Sequence, residues 1–292
     1  MASISRARTS QVARFVVGCM LLAPACLAFG LASWYPALRV FWLSLQEAPL
    51  GRTPHWAGLA NYRTVLQDAA WWAALGRTLL VALARLSALA PAALVALLWG
   101  RARPGWRLGV RFALTLGLAL SAPAALGLLW RAAGERRTPF LAGLSLAELG
   151  QALPSYLVLE AIVYLGLGGA LAATALLAAA RQPHPGRAVR GVLALAALAI
   201  VASGLDAFAL PFAATGGGPG HETMTLPLYA FRTAFQQLRL GRAAAQIAPL
   251  LAMGLALGVL FGLLSERLGL RLLGMEDTLP HAPAAPPRRQ MG

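Results

Sequence analysis

Three ionisable side chains, Arg85, Glu160 and Asp206, stand inside apolar runs long enough to cross a membrane. A charge in hydrocarbon is costly, so each is a candidate for function. At the helical rise of about 1.5 Å per residue, Arg85 lies roughly 12 Å in from the outer end of its span, Glu160 roughly 9 Å and Asp206 a similar depth. One base and two acids at one level suit a polar cavity whose carboxylates accept hydrogen bonds from a polyhydroxylated solute. The alternative is an ion pair between Arg85 and one acid, which satisfies both within the bundle.

Catalytic chemistry has less to stand on. The four histidines, His55, His184, His221 and His281, fall in loops or in the tail, far apart in sequence. His221-Glu222 is not followed by a second histidine at the spacing of a zinc helix, so no metal site is expected. All 25 basic residues are arginine. Without lysine there is neither a Schiff-base amine nor the phosphate-binding lysine of a P-loop, so the chain carries no ATPase site of its own. No cofactor is called for, and the reading is of a non-enzyme. Cys19 and Cys26 are seven apart in one apolar run, too far apart on a helix to be bridged, and read as packing residues.

The elements that must position these residues are membrane spans. Of the 292 residues, 59% are hydrophobic and only 12% charged, with the charges clustered between long apolar runs. The mean hydropathy is +0.66. Spanning hydrocarbon takes about 20 apolar residues in a helix, because every backbone donor must find its partner within the segment. Six stretches qualify, at 13–36, 77–99, 108–130, 154–180, 190–212 and 244–265. The chain therefore divides into an N-terminal tail 1–12, a transmembrane domain 13–265 and a tail 266–292. That last segment, with Pro280, Pro283, Pro286 and Pro287, lacks the apolar content to fold. The first run follows Arg6, Arg8 and Arg14 as a signal peptide would, but it continues to Trp34-Tyr35-Pro36 and reads as a retained helix.

Arginine placement sets the orientation. With both termini cytoplasmic, Arg101, Arg103, Arg107, Arg111, Arg181, Arg187, Arg190, Arg267 and Arg271 fall on the inner side. This predicts a multi-pass protein of the cell (inner) membrane. It also accounts for the net charge of +15, since the arginines flank apolar runs and form no basic face interleaved with stacking aromatics, which argues against nucleic acid. Trp42, Trp56, Tyr62, Trp71 and Trp72 fall in external segments and suit the headgroup level. Within 224–240, Leu228, Phe231, Phe235 and Leu238 recur at helical spacing, predicting an amphipathic helix along the outer surface. Gly166, Gly168, Gly169 and Ala170 permit close helix approach, and Pro91 and Pro123 are candidate kinks.

The string Thr215-Gly216-Gly217-Gly218-Pro219-Gly220 continues as Thr223-Met224-Thr225-Leu226, then Tyr229 and Phe231-Arg232-Thr233-Ala234-Phe235, and finally Leu240-Gly241-Arg242-Ala243-Ala244-Ala245. It resembles the stretch after the fifth helix in permease subunits of binding-protein-dependent sugar ABC importers of the maltose, glycerol-phosphate and multiple-sugar type. Trp34-Tyr35-Pro36 through Ser44-Leu45, Gly58-Leu59-Ala60-Asn61-Tyr62 and Arg77-Thr78-Leu79 resemble that family's first helix, first external loop and second helix.

The resemblance implies an all-α permease-like bundle of about six transmembrane helices. It implies half of an alternating-access pathway for a sugar or polyol, with a second permease subunit, two ATPase subunits, an external solute-binding protein and membrane lipid as partners. It makes Thr215, Gly216, Gly217, Gly218, Pro219, Gly220 and His221 contact candidates for the binding protein. In that family a long cytoplasmic loop between the fourth and fifth helices docks into the ATPase. Here it is shortened to 181–190, with Arg181, Pro183, His184, Gly186, Arg187 and Arg190 as the ATPase-side residues. Two prolines and a glycine in so short a stretch leave no room for a docking helix. Two readings stay open: a transport subunit, and a degenerate non-coupling partner or scaffold lacking that helix.

Overall fold

A helix crossing hydrocarbon satisfies its backbone internally, and the computed structural model of the chain meets this with long apolar helices. It describes residues 20–28, 30–49, 51–90, 93–94, 150–162, 164 and 185–267. Among them four helices are long and apolar enough to cross a membrane: Met20–Ser44, Ala69–Ala88, Ala188–Leu205 and Leu240–Arg267. The expected span 108–130, most of 154–180, Cys19, Pro91, Pro123, the small residues at 166–170, Arg181, Pro183, His184, the N-terminal tail and residues 268–292 lie outside the described residues.

The first helix passes through a π turn, Gly30–Trp34, into α1 (Tyr35–Ser44). Two short strands, β1 (Gln46–Glu47) and β2 (His55–Trp56), pair antiparallel. Next come α2 (Ala60–Leu66) and α3 (Ala69–Arg85), which tightens to a 3-10 turn at Leu86–Ala88. After α4 (Ala152–Ile162) follow α5 (Pro185–Leu205), α6 (Ala209–Ala214), α7 (Leu226–Phe235) and α8 (Leu240–Arg267).

Helix boundaries follow from caps that hydropathy does not register. The second span was expected from residue 77 but begins at Ala69, where Asp68 Oδ1 accepts from the Ala70 amide at 3.0 Å. That cap draws Trp71 and Trp72 into the helix. Trp71 is therefore no headgroup anchor: it is 3% exposed in the core, whereas Trp42, Trp56 and Trp72 remain exposed. The fifth span was expected as one helix over 190–212. It begins at Pro185, a residue favoured in a helix's first turn, and stops at Leu205 before α6. Gly186, Arg187 and Arg190 thus belong to the first two turns of α5.

Among the described residues, two cores hold the bundle. Val65, Trp71, Ala74, Leu205, Leu226, Ala245 and Leu250 join α2, α3, α5, α7 and α8, while Val81, Tyr156, Leu159, Ala207 and Leu210 join α3, α4 and α6. The buried face of α7 is not the one its apolar spacing predicts. Leu226, Leu228, Ala230, Thr233 and Ala234 are buried, and Phe235 and Leu238 face outward. A side chain at Gly241 would strike the Gln46 carbonyl, so glycine there lets the start of α8 press against β1. The outward faces of the first and last helices, including Met20, Leu21, Leu31, Leu255 and Val259, are apolar as lipid requires.

Candidate functional site

Among the described residues, three polar clusters bear on a candidate site. The first lies between α3, α4 and α5. Arg85 is the last residue of α3 and is 4% exposed, and Glu160 of α4 is fully buried. Arg85 Nε donates to Glu160 Oε2 at 2.9 Å, and one guanidinium NH donates to the Ser203 carbonyl of α5. The other carboxylate oxygen accepts from the Tyr156 hydroxyl at 2.6 Å, and the Arg85 guanidinium lies 3.7 Å from the Tyr164 ring centroid. Each charge is thus bonded to several groups and desolvated along with its partner, the condition under which buried ions are tolerated.

Asp206 is not part of that knot. The expectation that it lies within a span alongside Arg85 and Glu160 fails, because α5 ends one residue before it. Asp206 sits in the turn between α5 and α6, closed by the Phe208 amide donating to the Asp206 carbonyl at 2.9 Å. Its side chain is exposed and has no ion-pair partner among the described residues. It lines an open groove of about 1020 Å³ between α1, α5, α7 and α8. The groove wall is apolar and includes Trp34, Phe208 and Phe231, with Ser33 as a second polar group. Phe208 packs with Phe212 and Phe231 at centroid separations of 5.2 Å each.

The second place is the glycine-rich loop. Thr215 and Thr223 share a hydroxyl hydrogen bond of 2.6 Å across its neck. Thr223 Oγ1 donates to the Gly218 carbonyl and the Gly217 amide donates to Thr215 Oγ1. Arg232 of α7 donates to the Gly216 carbonyl, and Glu222 accepts from the Gly150 amide at the start of α4. Gly220 and His221 are exposed, Thr215, Gly216, Gly218 and Pro219 half-buried, and Gly217 buried. Of the seven contact candidates, the last two form the accessible tip. His221 holds φ 65°, a left-handed conformation that costs a non-glycine residue energy.

The third place escaped the sequence reading. Asp68 Oδ2 accepts from the Tyr229 hydroxyl at 2.7 Å and from Arg242 at 3.1 Å, joining α3, α7 and α8. Burial, followed by the hydrogen bond to Asp68, pushes the Tyr229 hydroxyl up to about 12. One turn beyond Arg242, Gln246 is fully buried, and both of its side-chain amide atoms lack a hydrogen-bond partner among the described residues, as does Arg242 Nε. The Gln246 carbonyl accepts from Trp71 Nε1 at 3.2 Å. A charged residue at the start of each helix, Asp68 just before α3 and Arg242 within the first turn of α8, was the available signal.

Comparison with known proteins bears on the fold. No family model matches the chain. It is 40% identical over 75 residues to the trehalose transport system permease protein SugA of Mycobacterium tuberculosis, in two strains, a match covering 25% of this chain. In that match the chain spans about a quarter, 24%, of the length of these curated relatives. The structural likeness is broader. A chain of a bacterial alginate ABC transporter, in complex with an alginate pentasaccharide-bound periplasmic protein, matches with a TM-score of 0.66 at 16% identity. The alignment covers 88% of this chain and 96% of that one. A chain from a bacterial ABC transporter involved in import of the acidic polysaccharide alginate matches with a TM-score of 0.59 at 14% identity, covering 90% and 99%. The resemblance to sugar ABC importer permeases read from the residues and the fold agree: this is a membrane protein with the all-α fold of those transporter chains.

Proposed function

We propose that the chain is the transmembrane subunit of an ABC importer and forms half of the translocation pathway for a sugar or polyol. An external binding protein delivers the solute, and a second permease subunit and two separate ATPase subunits complete the complex. Both termini lie in the cytoplasm, so the glycine-rich loop faces outward. The likeness of fold over nearly nine-tenths of the chain supports this, as does the name of the trehalose relative. The observation that carries it is Asp206, an exposed carboxylate on an apolar groove walled by aromatic rings. A carboxylate accepts hydroxyl hydrogen bonds while aromatic faces cover the C–H face of a sugar ring, and the groove has the size of a ligand site.

Arg85 and Glu160 serve the pathway from behind. They bond to each other within the bundle, and Arg85 holds the Ser203 carbonyl three residues before Asp206 and so fixes the turn that presents it. His221 and Gly220 at the loop tip meet the binding protein. The segment from Arg181 to Arg190 faces the ATPase side, Gly186, Arg187 and Arg190 entering as the first turns of α5.

The test is uptake of radiolabelled trehalose, maltose and glycerol 3-phosphate by cells carrying the chain with its co-encoded subunits. Asp206→Ala is expected to lower the uptake rate several-fold while the assembled complex is recovered in unchanged yield. Unaltered kinetics in a working complex would remove Asp206 from the pathway. Purification of the chain with neither an ATPase nor a second membrane subunit would instead favour the scaffold reading.

A further inference from the structure

The loop 215–222 is joined to the transmembrane helices through α7, and the contacts converge on one carboxylate. Arg232 of α7 holds the Gly216 carbonyl. One turn earlier on the same helix, Tyr229 donates to Asp68 Oδ2 at 2.7 Å. Arg242 at the start of α8 donates to that same oxygen at 3.1 Å, while Asp68 Oδ1 caps α3 through the Ala70 amide at 3.0 Å. The N-terminus of α7 is pinned as well: the Leu226 amide donates to the buried Thr78 hydroxyl of α3 at 2.8 Å, and Thr225 Oγ1 donates to the Ala207 carbonyl at 2.6 Å. With both ends held and its inner face buried, α7 has little freedom to move independently of the loop. Asp68 is 16% and Arg242 23% exposed, so their pairing is shielded far more than a surface ion pair.

We infer that Asp68 is a positioning residue for the glycine-rich loop, fixing through Tyr229 and α7 the pose in which Gly220 and His221 are presented and tying that pose to α3 and α8. A shift of the loop then moves α7 as a body and strains the Asp68 contacts, which bias the first turns of two membrane-crossing helices. Coupling between distant positions needs such a physically connected, discrete element. The local geometry stands by itself; its use in coupling a docked binding protein to the helices rests on the importer reading.

The experiment reads the loop directly. Carbethoxylation of His221 in the intact complex, followed by peptide mapping, reports the loop's pose. His55, whose ring pairs with Glu47 in the β1–β2 hairpin, is the internal control. Asp68→Asn keeps a capping side chain but removes the charge facing Arg242, and Tyr229→Phe removes only the hydroxyl. Each is expected to change the His221 rate several-fold with His55 unchanged. Arg232→Gln is expected to do the same. The double variant D68N/R232Q should be no worse than the worse single, since residues acting through one element are non-additive. Unchanged His221 rates in D68N and Y229F, or fully additive effects in the double variant, would overturn the assignment.

Uptake supplies the second reading. The three variants are expected to raise the binding-protein concentration needed for half-maximal uptake. If wild-type cells take up no solute, the importer reading fails while the His221 rates still decide the role of Asp68. If wild-type uptake is robust and the half-saturation is unmoved in all three variants, the coupling fails and the importer reading stands.

Discussion

Gly204 of α5 lies so close to Ala82 of α3 that a Cβ on the glycine would meet the backbone and side chain of Ala82. Close approach through small residues is how helices associate in lipid, where the hydrophobic effect between them is absent. Gly204→Ala is expected to lower stability by about 1–3 kcal/mol, the usual cost of overpacking. Gly258→Ala on α8, where an added Cβ meets nothing within 4 Å, is expected to be neutral or to stabilise by about 0.4–1 kcal/mol. Thermal unfolding in detergent, followed by the loss of monodisperse protein, compares the two. Equal melting temperatures would mean that α3 and α5 do not meet at this point.

The contact at Gly204 places the buried ion pair next door, since Ser203 supplies the carbonyl that Arg85 holds. Removing one partner strands the other charge, which for buried pairs costs about 3–5 kcal/mol. Arg85→Met and Glu160→Gln are each expected to reduce the yield of folded protein sharply. The double replacement with apolar residues of similar volume, R85M/E160M, is expected to recover much of the loss, because a satisfied apolar contact replaces a satisfied ionic one. A double variant as poor as the sum of the singles would show that the two charges have separate partners.

What composition displays and what it hides differ by physical cause. The long apolar runs are legible because lipid leaves the backbone no other way to be satisfied, and four of the expected spans correspond to described helices. The early start of α3 was not, since two adjacent tryptophans read as an interfacial pair and the cap at Asp68 is a matter of backbone geometry. The break after Leu205 is equally silent, because residues 191–214 are apolar throughout except for Ser203 and Asp206. Arg85 and Glu160 stand out as costly charges, but their pairing spans 75 residues of sequence and depends on which helix faces meet. Asp68, Tyr229 and Arg242 each look like an ordinary polar residue near a membrane boundary. Contacts across 161 and 174 positions unite them, and no local pattern encodes such a distance.

Gln246 offers a case where losing a polar group helps. It is fully buried, and neither its amide nitrogen nor its amide oxygen has a partner among the described residues. A buried polar group left unpaired costs about 1–3 kcal/mol, whereas methionine has similar length and no strong hydrogen-bonding group. Gln246→Met is expected to raise the melting temperature of the purified chain, with Trp71 still bonded to the backbone carbonyl at that position. A fall in melting temperature would show that the amide is bonded to a group the fold brings to it.

Tyr229 carries a prediction in pH. Its hydroxyl donates to Asp68, and burial together with that carboxylate raises its pKa from the ordinary tyrosine value of 10.0 to about 12. A group whose folded pKa lies above its unfolded one binds its proton more tightly in the folded state, so its contribution to stability is complete below the unfolded value and disappears as pH rises through the folded one. The contribution is therefore fully present below about pH 10 and is lost between about pH 10 and 12. Tyr229 is only partly shielded, so screening keeps the energy small, and the titration itself is the sharper measurement. The ultraviolet absorbance change of phenolate formation, taken as wild type minus Tyr229→Phe, isolates this residue. In the Asp68→Asn variant its midpoint is expected to fall back toward the ordinary tyrosine value, because the neighbouring negative charge is gone. A Tyr229 midpoint that is ordinary in the wild-type protein, or unmoved by the loss of the carboxylate, would mean that the hydroxyl does not donate to Asp68.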